Sequence, residues 1–196
     1  MTNKDVIVFD KEKLAELIMF FARESEKDRL FGSTKLNKLL FLADFLAYGY
    51  LGMPITGAKY VHQKRGPTPS PDEFLPTREY LLNNGRLRII EEDAYFGIRK
   101  RPVASKTDTP DMTKFSQKEI EIAYEALETL KHMGNVDSEL WSHKFIGWLY
   151  TDEGQEIPYS TAYLWQGVPL SVEDHEWARN TARQLGLGEL IYEPVN

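Results

Sequence analysis

A mainly helical α+β fold is what this chain predicts, and three observations predict it. Apolar residues recur at helical spacing, as in Leu14, Leu17, Ile18 and Phe21 and again in Leu36, Leu39, Leu40 and Ala43, so each segment turns a stripe toward a core. Capping residues precede these stripes and glycines follow them. The strand-forming runs between them are short and punctuated by proline and glycine, too brief for an all-β domain. The expected architecture is α+β, with helices packed against a small three-stranded antiparallel sheet.

Asp10 is placed to cap the first helix, whose apolar face Phe20 widens. Ser33 or Thr34 is the expected cap of the second, which carries Phe41, Phe45, Tyr48 and Tyr50 and is closed by Gly49 and Gly52. A short strand is expected at 59–62, after a turn at 53–57. In Gly66-Pro67-Thr68-Pro69-Ser70-Pro71, three prolines fix φ and bias each preceding residue toward extended backbone. Asp72 opens a helix through Phe74, Tyr80 and Leu81 that Asn83, Asn84 and Gly85 close, with Pro76 in its first turn or delaying its start. Strands at 86–90 and 94–100 follow, with Glu91, Glu92 and Asp93 as the turn between them. With the strand at 59–62 they make the three-stranded sheet.

Residues 102–114 read as a loop joining two halves of one domain. Ser116 and Glu119 form a capping box for a helix reaching Met133, with Ile120, Ala123, Leu127 and Leu130 facing inward and Gly134 and Asn135 closing it. Ser138 caps the next helix, whose burial Leu140, Trp141, Phe145, Trp148 and Leu149 dominate until Gly154 stops it. Residues 157–160 are extended or turning, and a last helix runs from Ser171 through Trp177, Ala178, Ala182 and Leu185 to Gly186.

The 196 residues suit one globular domain with an appendage, on a prior of about 150 residues per domain. A division at 1–167 and 168–196 is expected, the second part a helical extension. With 24 Lys and Arg against 30 Asp and Glu, the net charge of -6 repels polyphosphate, so nucleic acid is a disfavoured partner. The absence of cysteine removes disulfides, thiolate nucleophiles and Cys-ligated zinc, and fits a reducing cytoplasm. No run approaches the ~18 apolar residues of a membrane span, and Asp5 and Asp10 stand where a leader would be basic. A soluble, unexported protein without membrane contact is expected.

Catalytic signatures do not emerge. His62, His132, His143 and His175 show neither HExxH nor His-x-His spacing, so no metal is expected. No serine stands in a Gly-x-Ser-x-Gly elbow, and no glycine-rich phosphate loop occurs. His143, between Trp141 and Trp148, reads as a packed imidazole, while His62 can brace the loop or face a partner. Lys64, Arg65, Arg86, Arg88, Arg99, Lys100 and Arg101 would make a basic patch if loop and hairpin pack side by side; the plainer alternative is edge-strand charge. What remains distinctive is a stiff basic loop on a helical scaffold, which suits binding better than turnover.

Lys35-Leu36-Asn37-Lys38-Leu39-Leu40-Phe41-Leu42-Ala43-Asp44 resembles the opening helix of the Panacea domain of SocA-like antitoxins and phage-associated proteins, which reads Lys-Leu-x-Lys-Leu-Leu-Tyr-Phe-Ala. Ile55-Thr56-Gly57-Ala58-Lys59-Tyr60 and Gly66-Pro67 are similar to its strand and Gly-Pro turn, and Phe115-Ser116-Gln117-Lys118-Glu119 to the start of its second-half helix. Ser142-His143, Trp148, Gly154 and Ile157-Pro158-Tyr159 resemble its closing pattern, so the likeness spans 34–162. Arg65 departs from the family's usual aromatic residue before Gly-Pro, and Thr68-Pro69-Ser70-Pro71 from the small apolar residue after it.

The resemblance implies an antitoxin-type domain that restrains a cognate protein toxin by direct contact, or an adaptor that presents a toxin to a protease. It brings no enzymatic activity and no cofactor. Tyr60, His62, Lys64, Arg65, Gly66, Pro67 and Tyr159 are the expected partner-binding residues, with Arg65, Tyr60 and Tyr159 as anchors. His143 and Trp148 are assigned to folding. A small enzyme with His62 or His143 as base, and a DNA-binding repressor, are the readings from other classes; no helix here is basic enough for the latter.

Overall fold

The computed structural model describes residues 6–94 and 97–164. The expected last helix and the extension at 168–196 lie outside the described residues.

Helix α1 (Lys11–Glu24) starts where Asp10 Oδ1 accepts from the amides of Glu12 (3.0 Å) and Lys13 (2.9 Å). Its run from Leu14 to Ala22 is buried. Helix α2 (Ser33–Leu51) is the centre of the molecule and packs against α1 and several later elements. Its cap is Gly32, not Ser33 or Thr34, because the Ser33 hydroxyl donates to Lys100 O (2.9 Å) and binds the hairpin instead. Gly49 lies inside α2; Gly52, at φ +76°, ends it in the left-handed conformation that glycine adopts without strain.

The predicted three-stranded sheet is corrected to two separate two-stranded antiparallel ladders. Strands β1 (Tyr60–Val61) and β2 (Thr68–Pro69) pair with each other, while β3 (Leu87–Ala94) and β4 (Gly97–Ala104) form a hairpin. The far edge of β1 is taken by the backbone at 154–157, through His62 N to Gln155 O and Ile157 N to Tyr60 O. The hairpin therefore has no edge of β1 to join, and it packs on α1 and the start of α2.

The acidic run is not a turn. Glu91 and Glu92 lie within β3, in register with Lys100 and Arg99, and their carboxylates pair across the ladder with Lys100 (3.9 Å) and Arg101 (3.8 Å). Strand β3 continues through the acidic run to Ala94, which pairs with Gly97. Helix α3 (Pro71–Asn83) starts at Pro71, one residue before the expected Asp72, and holds Pro76 in its interior.

The 102–114 segment is no plain loop: β4 runs to Ala104, and residues Met112–Lys114 form a 3-10 turn. Glu16 holds this segment by accepting from Asp111 N (2.8 Å), and Arg86 bridges Glu16 (2.7 Å) to Asp108 (2.5 Å). Helix α4 (Gln117–Leu130) carries the predicted capping box at Ser116 and Glu119, and ends three residues before Met133. The inward set is Ile122, Ala123, Ala126 and Leu130, with Ile120 and Leu127 at its margins.

The single helix expected up to Leu149 is two. Helix α5 (Asn135–Ser142) is preceded by Gly134, so Ser138 is not its cap but a buried residue donating to Asn135 O (3.1 Å). Helix α6 (Ile146–Leu149) follows a break at Phe145, whose extended backbone drives its ring between Phe41 (4.8 Å) and Phe45 (5.2 Å). Burial of that ring is worth about 1.5–3 kcal/mol, more than a helical junction would add. A 3-10 segment (Tyr159–Leu164) closes the described chain against α2.

Candidate functional site

The Gly-Pro loop is fixed from below by residues of α2, α5 and α6. Gly66 N bonds Gln63 O (2.8 Å) to make a tight turn, and Lys38 Nζ donates to Pro67 O (2.8 Å). Gly66 has φ +92°, and a Cβ there would lie 2.3 Å from Ser142 Oγ and 2.8 Å from Lys38 Nζ. Only glycine fits, on conformational and steric grounds together.

The other flank is an aromatic sandwich. The Trp148 indole lies between His62 (centroids 4.3 Å apart, 20° between planes) and His143 (4.0 Å, 4°), and its Nε1 donates to Gln63 O (3.1 Å). His62 also lies 3.3 Å, Nδ1 to Oγ1, from Thr151. Burial pushes the His143 imidazole below its ordinary pKa, against the field of Glu139.

Beneath the site lies a polar knot in an aromatic core. Asp44, fully buried, accepts from Thr56 N (2.7 Å), Thr56 Oγ1 (2.5 Å) and Tyr60 OH (2.8 Å). Burial pushes its carboxyl up to about 6, opposed by these bonds. Tyr159 OH donates to Ala58 O (2.5 Å), and its ring stacks on Phe45 and Tyr48. Burial likewise raises the hydroxyls of Tyr60 and Tyr159.

The predicted residues thus fall into two groups. Lys64 and Arg65 are exposed at the tip, with His62 half-buried beside them. Gly66 and Pro67 are buried in the loop's foot, Tyr60 is 1% exposed, and Tyr159 is half-buried in the aromatic cluster. Tyr60 and Tyr159 therefore hold the scaffold on which the basic tip stands.

Four of the distant basic residues are engaged elsewhere: Arg86 with Glu16 and Asp108, Lys100 with Glu91, while Arg99 donates to Arg29 O and Arg101 to Glu26 O. Sequence reasoning passed over Lys38, Asp44 and Ser142. For Lys38 and Asp44 the available signal was that α2 is apolar on nearly all sides, so a charge within it must be buried and bonded.

A groove of about 400 Å³ opens between α2 and the loop, lined by Thr34, Asn37 and Lys38 on one side and Gln63, Lys64 and Arg65 on the other. Among the described residues, no group of three or more His, Asp or Glu side chains is arranged to hold a metal ion, and no helix is long and apolar enough to cross a membrane.

The family model of the SocA-like antitoxin Panacea domain matches residues 36–149. The chain belongs to this family. No curated protein and no solved structure matches it. The Panacea match runs from α2 to α6 and so contains Lys38, the Gly-Pro loop and both members of the Ser142-His143 pair.

Proposed function

We propose that this Panacea-domain protein neutralises a cognate protein toxin in the cytoplasm by direct binding, with no chemistry of its own, through the surface carried by residues 62–69. One observation supports this reading above the others. Lys64 and Arg65 are exposed on a loop whose foot is locked by the Lys38 bond to Pro67, the packed Gly66 and the Trp148 bond to Gln63. A contact presented in its bound shape avoids much of the ordering cost of association. Arg65 is the anchor, Lys64 and His62 flank it, and Gly66, Pro67, Tyr60 and Tyr159 hold it in place.

The enzyme reading asks for a histidine paired to a carboxylate in a pocket. Both candidate histidines instead stack on Trp148. The test is co-expression with a toxic gene adjoining this one: the wild-type chain restores growth and copurifies with the toxin. Arg65→Glu loses both if the loop is the interface, and keeps both if it is not.

A further inference from the structure

We propose that the groove between α2 and the 62–69 loop receives an acidic side chain of a polypeptide partner, gripped by Lys38, Lys64 and Arg65 while Asn37 accepts a backbone N–H of the same peptide. This rests on the loop being the partner-binding surface and names the chemistry that it recognises.

The groove reverses the charge of the protein around it. The chain carries a net charge of -6, yet the groove lining holds three basic side chains and no carboxylate. Lys64 and Arg65 form no hydrogen bond or ion pair with other described residues through their side chains, and no carboxylate of those residues closes on Lys38 within 4.0 Å. Lys38 is the decisive group. It is 1% exposed, and its ammonium has three donors, of which one reaches Pro67 O. Burying an ammonium so poorly partnered is costly, and an incoming carboxylate offsets that cost with charge-assisted hydrogen bonds.

Asn37 decides what carries the carboxylate. Thr34, Asn37 and Lys38 stand at i, i+3 and i+4 and share one face of α2. The Asn37 Oδ1 is buried without a hydrogen-bond partner among the described residues. An acceptor in that state calls for a donor, which a peptide backbone supplies and an acceptor-only inorganic anion such as sulfate does not. Cations and acceptor side by side match a peptide carrying Asp or Glu. The groove's size suits side chains entering from an exposed segment, at the low end of the ~300–1,000 Å³ of ligand pockets.

The experiment is an amide-shift titration of the full-length ¹⁵N-labelled chain with acetyl-Gly-Glu-Glu-Gly-amide. Saturable shifts are expected at Asn37, Lys38, Gln63, Lys64 and Arg65, weakened by added salt, and absent with acetyl-Gly-Gln-Gln-Gly-amide. Lys38 is buried and its replacement can disturb folding, so the variant test uses the exposed pair. Lys64→Gln with Arg65→Gln is expected to weaken binding about tenfold or more, the scale of a lost charge-assisted bond. No shift at these amides, an equal response to the glutamine peptide, or saturation by inorganic phosphate with none by the glutamate peptide would each overturn the proposal. If toxin rescue depends on Arg65 while the glutamate peptide leaves the groove untouched, the loop interface stands and the acidic preference is wrong. If the peptide binds as stated while rescue ignores Arg65, the groove stands and the toxin interface lies elsewhere.

Discussion

Lys38 and Asp44 are opposite charges that the same helix buries, and burial moves them in opposite directions. The Lys38 ammonium is pushed from its ordinary 10.5 down to about 7, against the field of Glu139. A group whose pKa falls on folding contributes stability that is whole above the unfolded value and is lost as the pH falls through the folded one. The wild-type chain should therefore lose stability between about pH 10 and pH 7 relative to Lys38→Met, read as the change in urea midpoint of each protein across that window. Asp44 has the reverse sign: raised from 3.8 to about 6, its contribution is present below 3.8 and lost as the pH rises through about 6. Asp44→Asn should flatten that part of the profile. It should also cost about 1–3 kcal/mol at neutral pH, because an amide cannot accept from Thr56 N, Thr56 Oγ1 and Tyr60 OH without turning a donor toward one of them. At Gly66 the conflict is steric as well as conformational, so Gly66→Ala should lower stability by about 1–3 kcal/mol from backbone strain alone, with the clash against Ser142 and Lys38 added.

Elements with a local cause were legible from residue order, and those with a distant cause were not. The Asp10 cap, the Ser116–Glu119 box and the Gly52 terminus each act within a turn of chain, and all three stand where the pattern puts them. Ser116→Ala should lower unfolding free energy by about 1 kcal/mol, a thermal or urea melt being sufficient to see it. The acidic run in β3 misled because its partners, Lys100 and Arg101, are set by the hairpin register and not by neighbours in sequence. Helix α5 stops at Ser142 because the Phe145 ring belongs between Phe41 and Phe45, a demand from residues a hundred positions away that helical periodicity cannot express. The Trp148 sandwich is of the same kind. Trp148→Leu keeps an apolar side chain but removes both stacking faces and the bond to Gln63 O. Faster hydrogen exchange at the amides of 63–66, with α1 and α4 unchanged, is the expected result; unchanged exchange at 63–66 would mean that the sandwich does not hold the loop.

Across the whole molecule, α2 joins the core to the Gly-Pro loop. Most of its surface is in the core, its Asp44 ties down the approach to β1, and its Lys38 holds the foot of the Gly-Pro loop. The order of motifs made the family visible in sequence, and Lys64 and Arg65 were marked by the stiffness of the prolines around them. Sequence spacing did not separate the exposed tip from its support, since Tyr60 and Lys64 lie four residues apart yet one is 1% exposed and the other open to solvent. The central claim, that this scaffold presents a pre-shaped basic tip to a protein partner, is tested most directly by titrating the purified chain against the protein toxin proposed as its partner, once co-expression has identified it. Wild type should form a stable complex, and Lys64→Glu with Arg65→Glu should weaken it by about a hundredfold or more, as expected when like charges meet at a specific contact, with an unchanged urea midpoint. An equally tight complex from that variant would contradict the account.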